Sequence, residues 1–75
     1  MLFVNIQTDQ KDLQDITKVL TTQLPYVELK RMDSTEKGLD LSFLCKAENL
    51  GQMEKLSQAL KAISPNTRFS MIDQP

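Results

Sequence analysis

The spacing of the apolar residues restricts the possible folds of this chain more than any other feature. Alternation of apolar and polar positions, typical of a β-strand, begins at Met1. It gives way to a stripe at helical spacing, which predicts a helix that Pro25 ends. Alternation then returns twice before a second helical stripe and a last alternating segment. The predicted strands are 1–7, 26–32, 39–46 and 67–73, and the predicted helices cover 13–24 and 50–63.

Polar residues between these segments predict the helix starts and the turn. Thr8 and Asp9 can offer side-chain oxygens to the free N–H groups of the first helix, and Asn49 can do so for the second. The second helix is expected to bury a stripe that starts at Leu50. Residues 33–38 read as a polar turn that joins strands two and three in a hairpin, with a glycine at its end.

The order β-α-β-β-α-β has one common solution. Two right-handed βαβ crossovers interleave into a four-stranded antiparallel sheet of order 4-1-3-2, with both helices on one face. We therefore predict an α+β, ferredoxin-like βαββαβ sandwich. Seventy-five residues are enough for one modest core, so residues 1–75 are expected to form a single domain.

Composition excludes several classes of function. Nine basic and ten acidic residues give a net charge of -1, which lacks the cationic field that attracts phosphate backbones, so no nucleic-acid partner is expected. The chain has no histidine, and therefore no Cys–His or Ser–His nucleophile. We predict no catalytic residue, no metal and no cofactor, and we expect the lone Cys45 to pack as a small hydrophobe.

The same composition also predicts where the protein is located. No apolar run approaches the roughly 20 residues of a bilayer span, so direct membrane insertion by this segment is not expected. A single cysteine cannot form an internal disulfide, which suits a reducing, cytoplasmic compartment.

A sheet with both helices on one face leaves its other face open. Large apolar side chains at outward positions of this face predict an interaction surface. Its members are Phe3, Tyr26, Met32, Leu44 and Ile72. Lys37-Gly38 and the strand after it faintly echo RNA-recognition strands, but Phe43 has the parity of the core positions, which makes an RNA-binding module the weaker interpretation.

The helix N-termini are the other candidate site in this fold, because free N–H groups there can hold an anion or a polar ligand. The candidate ligand-binding residues are Thr8 and Asp9 at the first helix and Asn49 and Gly51 at the second.

Three stretches carry a resemblance to a known family: "LFVNIQTD", "YVELKRMDSTEKGLDLSFLCKA" and "LSQALKAISPNTRFSMID". They resemble the ACT-like branch of the fold. The last two look like the cytoplasmic C-terminal domain of uncharacterised bacterial multi-helix membrane proteins, and more distantly the C-terminal domain of MgtC/SapB proteins. The resemblance implies a regulatory domain, part of a longer protein and tethered to the cytoplasmic face of the inner membrane. Amino-acid-sensing ACT domains carry a glycine-containing loop after the first strand, whereas residues 7–10 of this chain contain no glycine.

Two functions remain open from the sequence. The first is a non-catalytic regulatory or protein-interaction domain whose partner is a second copy or a neighbouring domain, with at most weak homodimerisation. The alternative is a small-molecule domain that senses an amino acid or an anion at the helix N-termini.

Overall fold

The computed structural model describes residues 1–10 and 12–73, and within them it contains four strands and two helices. Their order along the chain is β-α-β-β-α-β, as predicted. The strands are β1 (Leu2–Thr8), β2 (Tyr26–Thr35), β3 (Gly38–Lys46) and β4 (Arg68–Asp73), and the helices are α1 (Leu13–Gln23) and α2 (Leu50–Ile63).

The strands form one antiparallel sheet of order β2-β3-β1-β4, which is the predicted order read from the other edge. The ferredoxin-like fold is therefore confirmed. β2 and β4 are the two edge strands, and β1 and β3 lie between them.

The core lies between the sheet and the helices, since alternate residues of β1 and β3 are buried together with one stripe from each helix. Phe43 is 2% exposed, as its parity predicts, and Cys45 is 1% exposed. The other buried apolar residues are Val4, Ile6, Ile16, Leu20, Leu24, Leu39, Leu41, Met53, Leu56 and Leu60.

The β2–β3 hairpin is longer than predicted and contains a bulge. Residues 33–35 continue β2 instead of forming a turn, because polar side chains cost little on an edge strand in water, and Thr35 pairs with Gly38. The register shifts between Leu29 and Arg31, so Met32 pairs with Leu41, a core-facing residue. The placement of Met32 on the open face was wrong, since one bulge moves every later side chain to the other face.

The helix starts differ from the prediction at two places. Asp12, not Thr8 or Asp9, caps α1, and its carboxylate accepts a hydrogen bond from the Gln14 N–H at 2.9 Å. Asn49 caps α2 as predicted. Leu50, expected to be buried, is 74% exposed, because it lies at the rim of a cleft beside the chain start instead of under the sheet.

Candidate functional site

The two ends of the sheet differ in chemistry. We call the end where β1 finishes and β3 and β4 begin the loop end; it comprises residues 8–10, 35–38 and 64–68. The opposite end, where β1 begins, is the terminal end; it comprises residues 1–3, 26, 44–50 and 71–73. Polar side chains join the segments of the loop end, whereas apolar side chains are exposed at the terminal end.

Four apolar residues lie together on the open face at the terminal end, and we call them the open-face row. Phe3 pairs with Leu44 on one side and with Ile72 on the other, so these three residues form a line across β3, β1 and β4. Tyr26 lies diagonally from Leu44, because its direct partner is Lys46. Ile72 is 64% exposed and Tyr26 is 42% exposed, while Phe3 and Leu44 are half-buried.

Charged neighbours orient the ring of Tyr26. Its hydroxyl donates to Glu28 Oε2 at 2.7 Å, and Lys30 Nζ donates to Glu28 Oε1 at 2.9 Å. Lys46 Nζ lies 5.9 Å from the ring centroid, within cation–π range. The hydrogen bond to Glu28 raises the pKa of Tyr26, and the hydrogen bond from Lys30 lowers the pKa of Glu28.

The middle of the open face is polar. Asn5 Nδ2 donates to Asp40 Oδ1 at 2.8 Å and lies 3.2 Å from Ser42 Oγ. Asn5 also pairs directly with Ser42 and Ser70 in the sheet. This polar strip separates the open-face row from the loop end.

Side-chain hydrogen bonds connect the segments of the loop end. The hydroxyls of Thr8 and Thr67, both buried, lie 3.0 Å apart, and Thr8 Oγ1 also accepts from the Gln10 N–H at 3.1 Å. The Asp9 carboxylate accepts from Ser64 Oγ and, at 3.0 Å, from Asn66 Nδ2. These bonds, that of Ser64 above all, lower the pKa of Asp9. The loop after β1 is thus tied to the loop before β4.

Gly38 brings the hairpin turn against this same network. Its φ of 140° is in the region that favours glycine, as the position at the end of the turn predicts. A Cβ at this position would lie 1.9 Å from the Thr8 carbonyl oxygen and 2.6 Å from the Asp9 Cα. The backbone contact therefore requires a glycine.

An open cleft of about 380 Å³ lies at the loop end, beside Gly38. Lys37 and Arg68 line it, and no carboxylate of the described residues lies within 4.0 Å of either cation. Asp9 and Asp40 also line it, but both accept hydrogen bonds from neighbouring side chains.

The four predicted ligand-binding residues are not brought together. Thr8 and Asp9 lie at the loop end, whereas Asn49 lies at the terminal end and Gly51 follows it in the first turn of α2. The side-chain oxygens of Asp12 and Asn49 already accept hydrogen bonds from N–H groups at the N-termini of α1 and α2. Of the predicted interaction surface, the structure groups four members and separates Met32.

Two other sequence candidates are buried in the core. Phe43 packs under the helices, so its ring cannot stack on a base. Burial raises the pKa of the Cys45 thiol, which disfavours the reactive thiolate.

Sequence reasoning missed the partners of Thr8 and Asp9, which are Ser64, Asn66 and Thr67. Residues 64–66 lie between the second predicted helix and the last predicted strand, and their types alone do not indicate a contact with the first strand. The predicted strand order does indicate that these segments are close, because antiparallel pairing of β1 with β4 places the end of one strand beside the start of the other.

Within residues 1–10 and 12–73, neither helix has the length and apolar character needed to cross a bilayer. No protein-family model and no curated protein matches the sequence. The fold is similar to that of a solved structure described as "De novo designed protein Foldit4", with a TM-score of 0.55 and 9% identity over 99% of this chain and 96% of the other. At that identity the likeness shows the fold alone.

Proposed function

We propose that this chain is a non-catalytic protein-interaction domain with a regulatory role, and that its working surface is the open-face row. The observation that carries the proposal is the continuous line Leu44–Phe3–Ile72 on the face that the helices do not cover. The ring of Tyr26, held by Glu28 and Lys46, extends this line toward the β2 edge.

Energetics support a protein partner for this surface. Covering apolar area stabilises a complex by about 25 cal/mol per Å². Tyrosine is enriched at interfaces and at their energetic centres. Because contacts in the free domain already orient Tyr26, its side chain would lose less conformational entropy when a partner binds.

The proposed role involves no catalytic step in this domain. Among the described residues, no group of three or more acidic, cysteine or histidine side chains could hold a metal ion. The buried threonines and Asp9 are engaged in hydrogen bonds that join loops, which is a structural use of these groups.

The resemblance to the cytoplasmic domain of multi-helix membrane proteins suggests where such a surface would act. In a longer protein of that kind, the row would face a neighbouring domain or a second copy. Regulation would then follow from contact with that partner, without any chemical step in the domain itself.

Photo-crosslinking tests the proposal. A photoreactive p-benzoylphenylalanine at Tyr26 should form a covalent adduct with a protein in cells that express the full gene, while the same residue at the exposed helix position Thr21 should not. Ile72→Ser in the Tyr26 probe protein should weaken the adduct. Adducts from Thr21 alone, or an adduct at Tyr26 that Ile72→Ser leaves unchanged, would contradict the proposal.

Small-molecule sensing is the second candidate, and the loop-end cleft favours it, because no carboxylate of residues 1–10 and 12–73 pairs with Lys37 or Arg68 there. A ligand at a hundredfold excess over its Kd stabilises a fold by about 2.7 kcal/mol. We expect no such stabilisation from amino acids, nucleotides or phosphate, since Asp9 and Asp40 share the cleft with the two cations. A compound that raises the Tm, and loses this effect in Arg68→Gln, would establish the sensor instead.

A further inference from the structure

The two edges of the sheet differ in their protection against strand pairing. An edge strand presents unpaired N–H and C=O groups, and proteins protect such edges with bulges and charged side chains. β2 has both devices. The bulge lies between Leu29 and Arg31, and the ion pairs Lys30–Glu28 and Arg31–Asp33, at 2.9 and 2.8 Å, line the strand.

β4 has neither device. Its register with β1 is regular from Asp73 to Arg68, and its only charged residues are these two, at its ends. Between them lie Phe69, Ser70, Met71 and Ile72, of which Met71 is 41% exposed and Ile72 is 64% exposed. β4 is therefore the edge that is open to another strand.

We infer that β4 pairs with β4 of a second copy of this chain, antiparallel and with the two-fold axis at Ser70. This inference rests on the proposed function, because Ile72 belongs to the open-face row. The pairing would join two four-stranded sheets into one continuous sheet with all four helices on the same side.

Charge supports an antiparallel arrangement. Arg68 and Asp73 carry opposite charges at opposite ends of β4, so antiparallel strands place the cationic end of one beside the anionic end of the other. A parallel arrangement would bring like charges together, which is unfavourable.

Side-chain complementarity favours the register centred on Ser70. On the helix side it places Phe69 opposite Met71 of the second copy, so the half-exposed Met71 gains an apolar neighbour. On the open side it places the aliphatic stem of Arg68 beside Ile72 of the second copy. A register centred on Met71 would instead oppose Phe69 with the Asp73 carboxylate.

The contact area predicts a weak dimer. Stable complexes bury at least about 1,200 Å². A strand of six residues with two exposed apolar side chains offers much less, so the dimer should form near millimolar and not micromolar concentration. Attachment of two copies to a larger assembly would raise their effective concentration.

Cysteine cross-linking tests the pairing and its register. Directly opposed residues of antiparallel strands have Cα atoms about 4.5–5.5 Å apart, within the range that a disulfide spans. Ser70→Cys should therefore form a disulfide dimer under mild oxidation on the order of tenfold faster than Gln58→Cys, an exposed control on α2 limited by random collision. Met71→Cys should be slow, since its two Cα atoms would lie roughly 8 Å apart.

Failure of the β4 pairing can be told apart from failure of the proposed function. Equal rates for Ser70→Cys and Gln58→Cys, or a faster rate for Met71→Cys, would overturn the inference; in the former case a Tyr26 photo-adduct with a different protein would leave the proposed function intact. Wild-type protein serves as the blank, because Cys45 is buried. As a second measurement, Met71→Lys places a charge on β4 and should abolish the dimer seen by sedimentation at millimolar wild-type protein, and a dimer that persists would also overturn the inference.

Discussion

The loop end and the terminal end of the sheet use their side chains differently. At the loop end, Thr8, Asp9 and Gly38 contact segments that are distant in sequence, and their bonding capacity is used within the fold. At the terminal end, Ile72 and Leu50 leave most of their apolar surface in water. Thr8 and Asp9 thus use their polar groups within the fold, whereas Ile72 and Leu50 leave apolar surface that a partner could cover.

The largest expected effect comes from Gly38→Ala at the loop end. The added Cβ would collide with the Thr8 carbonyl oxygen in a backbone conformation that alanine avoids. We expect a loss of unfolding free energy on the order of 3 kcal/mol, measured by urea denaturation. Gly51→Ala is the control, because its added Cβ would lie 3.2 Å from the exposed Asn49 side-chain oxygen and not against buried backbone, so stability should change by less than about 1 kcal/mol. Equal effects of the two substitutions would show that the turn does not press on β1.

The buried hydroxyl pair gives the next effect. Thr67→Val removes one member of the Thr8–Thr67 hydrogen bond and should cost about 1–2 kcal/mol of unfolding free energy, because the Thr8 hydroxyl loses this partner. Thr8→Val with Thr67→Val should cost less than the sum of the single substitutions, as a double-mutant cycle would measure. Strict additivity would mean that the two hydroxyls do not interact.

The Asp9 carboxyl predicts a pH dependence. Its pKa is lowered in the folded protein, so its stabilising contribution is present above its unfolded pKa of about 3.9 and disappears as pH falls through the folded value. Wild-type protein should therefore lose more stability between neutral pH and about pH 3 than Asp9→Asn does. Parallel pH profiles for the two proteins in urea denaturation would contradict the role of Ser64 and Asn66 as donors.

The smallest effect on stability is expected at the terminal end. Ile72→Ser should change the free energy of unfolding by less than about 0.5 kcal/mol, because the side chain is already mostly in water. It should nevertheless weaken self-association, measured by sedimentation. A marked loss of stability would mean that Ile72 serves the fold and not a partner.

The sequence predicted the fold because the apolar spacing is local and regular in every element. The same spacing placed Phe43 in the core, and the side-chain oxygen of Asn49 just before the second apolar stripe placed that residue at a helix cap. It failed at Met32, since a bulge leaves no mark in the alternation before it but reverses every position after it. It did not identify Ser64 and Asn66 as partners of Asp9, because these residues are far from Asp9 in sequence and come near it only through the pairing of β1 with β4.

Pairing of the β4 edge and the adjoining open-face row with a second copy should be visible in backbone amide shifts over a concentration series from micromolar to millimolar. The predicted result is movement at Phe3, Ser70 and Ile72 and at their neighbours on β4, with α1, α2 and residues 8–10 and 35–38 of the loop end unchanged. Movement confined to the helices or to residues 8–10 and 35–38, or no movement up to millimolar protein, would show that β4 does not pair with a second copy.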